Sequence, residues 1–144
     1  MRKKIPLAVA TLAATAGMLI ATLGPSSAAN PSPCQVLPAS TVQSILGSPV
    51  QAHAPPEPVT VGGMTQYSCY YIGPDTNASL QIMDFHSASA AAASPALQRP
   101  NNTRYARPGT LADHKNNYVL VVSVRKPSDA GKLRALLSAA MRNI

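Results

Sequence analysis

The sequence is poor in aromatic residues: it has no tryptophan, one phenylalanine and five tyrosines among 144 residues. Aromatic side chains normally supply much of the buried area of a core. The core must therefore rest on valine, leucine, isoleucine, alanine and a few tyrosines. Tyr67, Cys69 and Tyr71 would share one strand face, opposite Tyr70, and tyrosine suits a recognition surface. With so few large residues, we expect at least two of these tyrosines in the core.

Acidic residues are also scarce, with one glutamate, Glu57, and four aspartates. Two aspartates lie close to a histidine, in the pairs Asp84/His86 and Asp113/His114. A hydrolase would need such a pair beside a positioned nucleophile, and the sequence has no Gly-x-Ser-x-Gly motif. We therefore predict a protein that is not an enzyme and has no catalytic residue. A small secreted hydrolase that uses one of the two Asp/His pairs is the alternative.

Motifs for metals and cofactors are missing as well. His53, His86 and His114 are far apart and lack the paired spacing of metal ligands on a helix. Gly62-Gly63 lacks the spacing and the lysine of a phosphate-binding loop. We predict no metal site and no cofactor.

The first 29 residues are organised as an export signal. Basic residues at positions 2–4 precede an apolar run from Ile5 to Leu23, and small residues occupy positions 27–29. We predict a Sec-type signal peptide (1–29), cleaved after Ala28 or Ala29, and a secreted or extracytoplasmic protein with no membrane span after cleavage. A retained anchor is the alternative, because the run approaches the ~20 apolar residues that cross a bilayer.

Cys34 and Cys69 are the only two cysteines. An even number of cysteines in an exported chain predicts a disulfide. Closing a loop of this length stabilises a fold by about 4 kcal/mol in the chain-entropy model. A redox-active pair would more often be a closely spaced Cys-x-x-Cys, so we predict a structural Cys34–Cys69 bond.

Basic residues exceed acidic ones only mildly in the predicted mature chain. Three of the twelve Lys and Arg residues lie in the signal, so residues 30–144 carry nine basic and five acidic side chains, a net charge of +4. This charge is too weak to indicate nucleic acid binding. Several basic residues and one tyrosine cluster near a Pro/Asn-rich connection and after the strongest strand; we call this set the basic rim: Arg99, Arg104, Tyr105, Arg107, Lys115, Arg125 and Lys126. It would suit an acidic envelope polymer or a negatively charged protein; solvated loop residues are the alternative.

Hydrophobic periodicity and turn residues divide the chain into three helices, two pairs of strands and one further brief strand (59–61). The predicted helices cover 39–46, 87–94 and a last segment that begins near Pro127; the predicted strands cover 59–61, 66–72, 79–85, 110–113 and 118–124, and 51–58 is a predicted loop. This order predicts an α+β fold: one small domain (39–144) after a Pro-rich lead (30–38). The domain would have an antiparallel sheet, helices packed on one face and one disulfide.

Short motifs recur in a recognisable order: Cys34-Gln-Val-Leu37, a helix ending in Leu46-Gly47, Cys69-Tyr70-Tyr71 and Gly109 to Asp113. The chain thereby resembles small exported or lipid-anchored envelope domains of unknown function that are common in actinobacteria. The resemblance covers nearly the whole mature chain and implies the disulfide and the α+β fold; it supplies no catalytic residue. The sequence departs from the pattern in lacking a lipidation cysteine and in having Thr110-Leu111 within the later turn.

These features together predict an exported, non-enzymatic binding module of the cell envelope or the extracellular space. An inhibitor or immunity-type protein is a more specific version of this hypothesis. A protein is the first expected partner and an acidic envelope polymer the second, with no nucleic acid.

Overall fold

The fold is seen in a computed structural model that describes residues 30–98, 109–125 and 130–144. The predicted signal peptide (1–29) and the predicted start of the last helix lie outside these residues. The described helices are α1 (Pro33–Val36), α2 (Ala39–Leu46), α3 (Ala88–Ala92), α4 (Pro95–Gln98) and α5 (Ala130–Arg142). The described strands are β1 (Gln51–His53), β2 (Val59–Val61), β3 (Met64–Ile72), β4 (Asn77–Asp84), β5 (Thr110–Lys115) and β6 (Tyr118–Val124).

All six strands form one antiparallel sheet in the order β1-β3-β4-β6-β5. β2 also pairs with β3, at the other end of the edge that β1 occupies. The turn at Gly62-Gly63, where both φ angles are positive (59° and 78°), joins β2 to β3. Only glycine adopts such angles without strain, and this two-residue turn matches the twist of an antiparallel hairpin.

One face of the sheet carries the main hydrophobic core. Side chains alternate along β4 and β6, so that Leu80, Ile82 and Leu120 are fully buried on this face. The helices α1, α2 and α5 cover this face with apolar residues, among them Leu37 and Leu136. The prediction of a single small α+β domain, with an antiparallel sheet and helices packed against it, is confirmed.

The second face is covered only in part. The short helices α3 and α4 pack against β5 and β6. Ala91 of α3 and Val119 of β6 are both fully buried, yet neither belongs to the main core cluster. Val119 points away from the core because it alternates with Leu120. The structure thus adds a small second layer to the helices predicted for one face.

The disulfide between Cys34 and Cys69 is present and ties α1 to β3. Val36 and Leu37 are buried in the core, so this part of the predicted Pro-rich lead (30–38) packs into the domain. The side-chain amide of Asn143 in the C-terminal segment donates to the Val36 carbonyl (2.9 Å) and holds α1 from the other side.

Two local predictions need correction. The segment Gln51–His53 lies in the predicted loop 51–58 but forms β1, because it pairs with Tyr70 to Ile72 of β3. The helix predicted over 87–94 is shorter, because α3 ends at Ala92, and Pro95 begins a separate helix, α4. Proline suits a first helical position, and the Ser94 hydroxyl accepts a hydrogen bond from the N–H of Ala96 (3.2 Å).

Candidate functional site

Among the described acidic residues, Asp84 at the end of β4 is the most buried, with 9% of the residue exposed. One carboxylate oxygen, Oδ1, accepts hydrogen bonds from the His86 N–H (2.8 Å) and from Asn117 Nδ2 (2.6 Å). The other oxygen, Oδ2, lies 3.3 Å from His86 Nδ1. The pair Asp84/His86 is therefore in contact, as its sequence proximity suggested.

This arrangement explains the local backbone. His86 has a positive φ of 55°, which the carboxylate supports by binding its N–H. Asn117 follows the Asn116 turn between β5 and β6, and its carbonyl accepts the Phe85 N–H (3.0 Å). Asp84 consequently fastens the end of β4 to the neighbouring hairpin turn.

A hydrolase that used this pair would also need a positioned nucleophile. The His86 imidazole contacts the Asp84 carboxylate. The hydroxyl of the next residue, Ser87, instead pairs with the Ser89 hydroxyl (2.9 Å) at the start of α3. Tyr67 lies near Asp84, and its pKa is raised, first by burial and then by the negative charge of Asp84. A raised pKa keeps this phenol protonated, and a neutral phenol is a poor nucleophile.

We expect the substitution Asp84→Asn to lower the free energy of unfolding by about 1–3 kcal/mol, because charge-assisted hydrogen bonds to a buried acceptor are weakened. Asp113→Asn is the matched control, and its exposed side chain should give a change within about 0.5 kcal/mol. Urea unfolding of the three proteins measures both values. Equal midpoints for Asp84→Asn and the wild type would contradict the structural role of Asp84.

The second pair, Asp113/His114, is less organised. The two residues are consecutive in β5, so their side chains leave opposite faces of the sheet. His114 Nδ1 is 3.7 Å from Asp113 Oδ1, and both side chains are largely exposed. The pair has the geometry of solvated edge-strand residues.

Most of the basic rim lies outside the described residues: Arg99, Arg104, Tyr105, Arg107 and Lys126. The two described members are far apart. Lys115 pairs with Tyr118 at the start of β6, whereas Arg125 follows the end of β6, about 24 Å away at strand spacing. The ammonium of Lys115 donates to the carbonyl oxygens of Met141 (3.1 Å) and Ile144 (2.8 Å), so this lysine stabilises the end of α5.

A larger surface feature is the part of the sheet that the helices leave uncovered. We call it the open face: the side chains of β1 to β4 that point away from the main core. The cross-strand pairs identify its members as Gln51, His53, Val59, Val61, Met64, Gln66, Ser68, Tyr70, Ile72, Asn77, Ser79, Gln81 and Met83. The open face contains no Asp, Glu, Lys or Arg.

The exposed large hydrophobic residues in the described part of the chain all lie on the open face. Val59, Val61, Tyr70 and Ile72 are 59%, 63%, 43% and 51% exposed. Tyr71 is fully buried and Tyr67 half-buried against the core, as expected for two of the three tyrosines. The face with Tyr67, Cys69 and Tyr71 is therefore the core face, and Tyr70 marks the exposed one.

Two open clefts share Pro49, and the second of them adjoins the open face. The first, of about 440 Å³, is lined by neutral polar residues of α2 and the segment after it: Ser40, Gln43, Ser44, Gly47, Ser48 and Pro49. The second, of about 410 Å³, is lined by Pro49, Val50, Gln51, Ile72, Gly73 and Pro74. Ile72 and Gln51 belong both to the second cleft and to the open face, so the neutral surface continues around this end of the sheet.

The sequence alone does not identify the open face as a site. The alternation of Gln66, Ser68 and Tyr70 with Tyr67, Cys69 and Tyr71 separates two faces of β3. Only the packing of the helices decides which face is covered. The alternation of the two faces is visible in the sequence, but the sequence does not show which of them the helices cover.

The described residues contain no group of three or more His, Cys, Asp or Glu side chains placed to hold a metal ion. Within the same residues, no helix is both long and apolar enough to span a membrane. No protein family, curated protein or solved structure matches this chain. The resemblance to actinobacterial envelope domains thus stays a prediction.

Proposed function

We propose that this protein is an exported, non-enzymatic binding module of the cell envelope or extracellular space, and that its partner is a protein. The observation that carries the proposal is the open face, where four large hydrophobic side chains are exposed on a sheet surface without formal charge. Exposed apolar groups that cluster on one surface commonly mark interaction sites.

The composition of the open face suits a protein partner better than an acidic polymer. The cores of protein interfaces are depleted in charged residues and enriched in tyrosine and methionine. The open face has Tyr70, Met64 and Met83, whereas an acidic polymer would need basic side chains that this face lacks. Support for a polymer comes only from the basic rim.

An inhibitor of a secreted hydrolase is the more specific form of this proposal. A small, disulfide-bonded domain is rigid, so that its surface loses little conformational entropy on binding. Export, which the proposal includes, would place the module where secreted enzymes act.

Capture experiments test the proposal with the full chain expressed for export and purified with its disulfide formed. Intact mass spectrometry of this material first shows whether cleavage follows Ala28 or Ala29. The immobilised protein is then exposed to envelope and culture-supernatant fractions. The open-face variant Tyr70→Thr/Ile72→Thr keeps β-forming residues but removes the exposed apolar area.

We expect the open-face variant to capture at least tenfold less of a protein that the wild type captures. The control variant Gln43→Ser/Ser44→Ala, on the exposed side of α2, should capture as well as the wild type. Equal capture by the open-face variant would contradict the proposal. Capture of anionic polymer alone, abolished by salt and by charge reversal at Arg104 and Arg107, would assign binding to the basic rim.

A further inference from the structure

We propose that Asp84, Tyr67 and Tyr118 form a binding site for a primary ammonium group, R–NH₃⁺, on the core face of the sheet at the end of β4. The site is separate from the open face, so the inference goes beyond the proposed function. Its grounds are the register of the sheet, the hydrogen bonds of the Asp84 carboxylate and the charge of that group.

The register gathers the three side chains on one face of the sheet. Asp84 pairs with Thr65 across β3 and β4, and with Tyr118 across β4 and β6. Tyr67 lies two residues beyond Thr65 on β3, so its side chain leaves the same face, diagonally from Asp84. Both tyrosines pack against the core cluster, and Asp84 is buried. The apolar core therefore ends here in two phenols and a carboxylate.

The two phenols lie close to the same carboxylate. Tyr118 is the direct cross-strand neighbour of Asp84. For Tyr67, burial raises the pKa first, and the negative charges of Asp84 and of the Tyr118 phenol raise it further. Because charge interactions weaken with distance, both groups lie near the Tyr67 hydroxyl. Oxygen atoms from three side chains are thus brought together.

The oxygen Oδ2 of Asp84 is the carboxylate atom that can serve a ligand. The His86 N–H and the side-chain amide of Asn117 both donate to Oδ1, whereas Oδ2 lies 3.3 Å from His86 Nδ1. A carboxylate oxygen has two lone pairs, so Oδ2 can accept a hydrogen bond in addition to this contact. Each phenol oxygen is also an acceptor. An ammonium group has three N–H donors and no acceptor, and it matches these three oxygens.

The charge of Asp84 favours a cationic ligand. A buried carboxylate is costly unless a positive group pairs with it. Lys115 occupies the same row across the sheet, because it pairs with Tyr118, but its ammonium donates to two carbonyl oxygens at the end of α5. The His86 imidazole beside Oδ2 is charged only when it is protonated. A bound ammonium group would supply a permanent positive charge at this carboxylate.

The site remains accessible to solvent. The Asp84 side chain keeps 13% of its accessible area, and Tyr67 and Tyr118 are half-buried. A small amine can reach the three oxygens from this side, and the partial burial strengthens its attraction to the carboxylate. The same R–NH₃⁺ chemistry occurs in a free amine and in the side chain of a lysine on another protein.

NMR titration of the exported, oxidised protein with methylammonium chloride tests the inference at about pH 7, where this amine is charged. Sodium chloride keeps the ionic strength constant. We expect the signals of the Asn117 side-chain amide and the His86 N–H to shift and to saturate, with a dissociation constant in the millimolar range for so small a ligand. Tetramethylammonium has the same charge but no N–H donor, and it should bind at least tenfold more weakly.

The variants Tyr67→Phe and Tyr118→Phe each remove one phenol oxygen and keep the ring that packs against the core. Each should weaken methylammonium binding at least threefold, and the double variant at least tenfold. Tyr70→Phe, on the open face, is the matched control and should bind like the wild type. Asp84→Asn removes the charge and should abolish binding. Circular dichroism checks the fold of every variant, and the phenylalanine variants decide the test should Asp84→Asn fail to fold.

A second ligand distinguishes the two sources of the amine. Nα-acetyl-lysine N-methylamide carries a lysine side chain between capped ends. Tighter binding of this compound than of methylammonium would assign the site to a lysine of a partner protein. Weaker binding would assign it to a small free amine.

Three results would overturn the inference: no saturable shift up to about 50 mM methylammonium, equal binding of tetramethylammonium, or unchanged binding by the Tyr67→Phe/Tyr118→Phe variant. These results do not involve Tyr70 or Ile72. Capture of a protein through the open face therefore tests the proposed function separately.

Discussion

Removal of the Cys34–Cys69 disulfide is expected to lower the free energy of unfolding by about 4 kcal/mol. The bond closes a loop with a sequence separation of 35 residues, and such a crosslink restricts the unfolded chain far more than the folded one. This loss is a large fraction of the ~5–15 kcal/mol that stabilises a typical domain. Because the core has few aromatic side chains, it has little buried aromatic area to offset this loss of stability.

The loss should also loosen α1. This helix is held by the disulfide to β3, by the Tyr71 hydroxyl bound to the Leu37 carbonyl, and by Asn143 bound to Val36. Four residues are too few for an independent helix. Without the covalent bond, the two hydrogen bonds and the burial of Leu37 would have to retain it.

Urea unfolding measures the effect on the oxidised wild type, the reduced wild type and a Cys34→Ala/Cys69→Ala variant. The reduced wild type isolates the crosslink, because it keeps both sulfur atoms in the core. Coincident unfolding of the reduced and oxidised proteins would show that the bond is not a main source of stability. A reduced protein that is already unfolded without urea would show that the remaining core falls below the threshold for folding.

The elements that the sequence predicts well carry their own boundary signals. The helix α2 occupies Ala39–Leu46 as predicted, because Pro38 precedes it and Gly47, with a φ of 76°, ends it in the left-handed conformation. The strand β6 occupies Tyr118–Val124 as predicted, because its apolar run follows an Asn-Asn turn. In both cases local chemistry and tertiary packing agree.

The elements that the sequence does not predict depend on distant partners. The three exposed residues of β1 show no useful periodicity, and only their pairing with β3 makes them a strand. The helix α1 begins at a proline in a segment rich in prolines, and its burial follows from contacts with β3 and β4. Tertiary context decides both.

The candidate site also combines a contact that the sequence indicates with features that depend on distant residues. The proximity of Asp84 and His86 in sequence indicates their contact, but Asn117, the partner that gives Asp84 its structural role, lies 33 residues further along the chain. The open face depends on which side of β3 the helices cover. The helices α5 and α2 determine which side is covered. They pack against each other and contribute to the same core cluster as Leu80 and Leu120.

Alkaline pH is expected to destabilise the protein through Tyr71. This side chain is fully buried beneath α1, and its hydroxyl donates to the Leu37 carbonyl. Burial raises the pKa of Tyr71 well above the ordinary value of 10.0. The folded state therefore keeps the phenol proton at a pH where the unfolded chain releases it.

The sign of the effect follows from proton binding. Below about pH 10 both states bind the proton, and the contribution of Tyr71 to stability is complete. Above that pH the unfolded state binds fewer protons, so stability falls by up to about 1.4 kcal/mol per pH unit until the folded pKa is passed. The raised pKa of Tyr67 acts in the same direction, but less so because this side chain is more exposed.

The substitution Tyr71→Phe separates the two contributions of this residue. At pH 8 it should lower the free energy of unfolding by about 1–2 kcal/mol, because the buried Leu37 carbonyl loses its donor. At pH 11 the deficit should shrink or reverse, because phenylalanine has no proton to lose. Urea unfolding at both pH values measures the difference, with the exposed Tyr70→Phe as control, which should follow the wild type. A deficit of equal size at both pH values would mean that the Tyr71 phenol ionises as readily in the folded protein as in the unfolded chain, and that its burial does not control stability at alkaline pH.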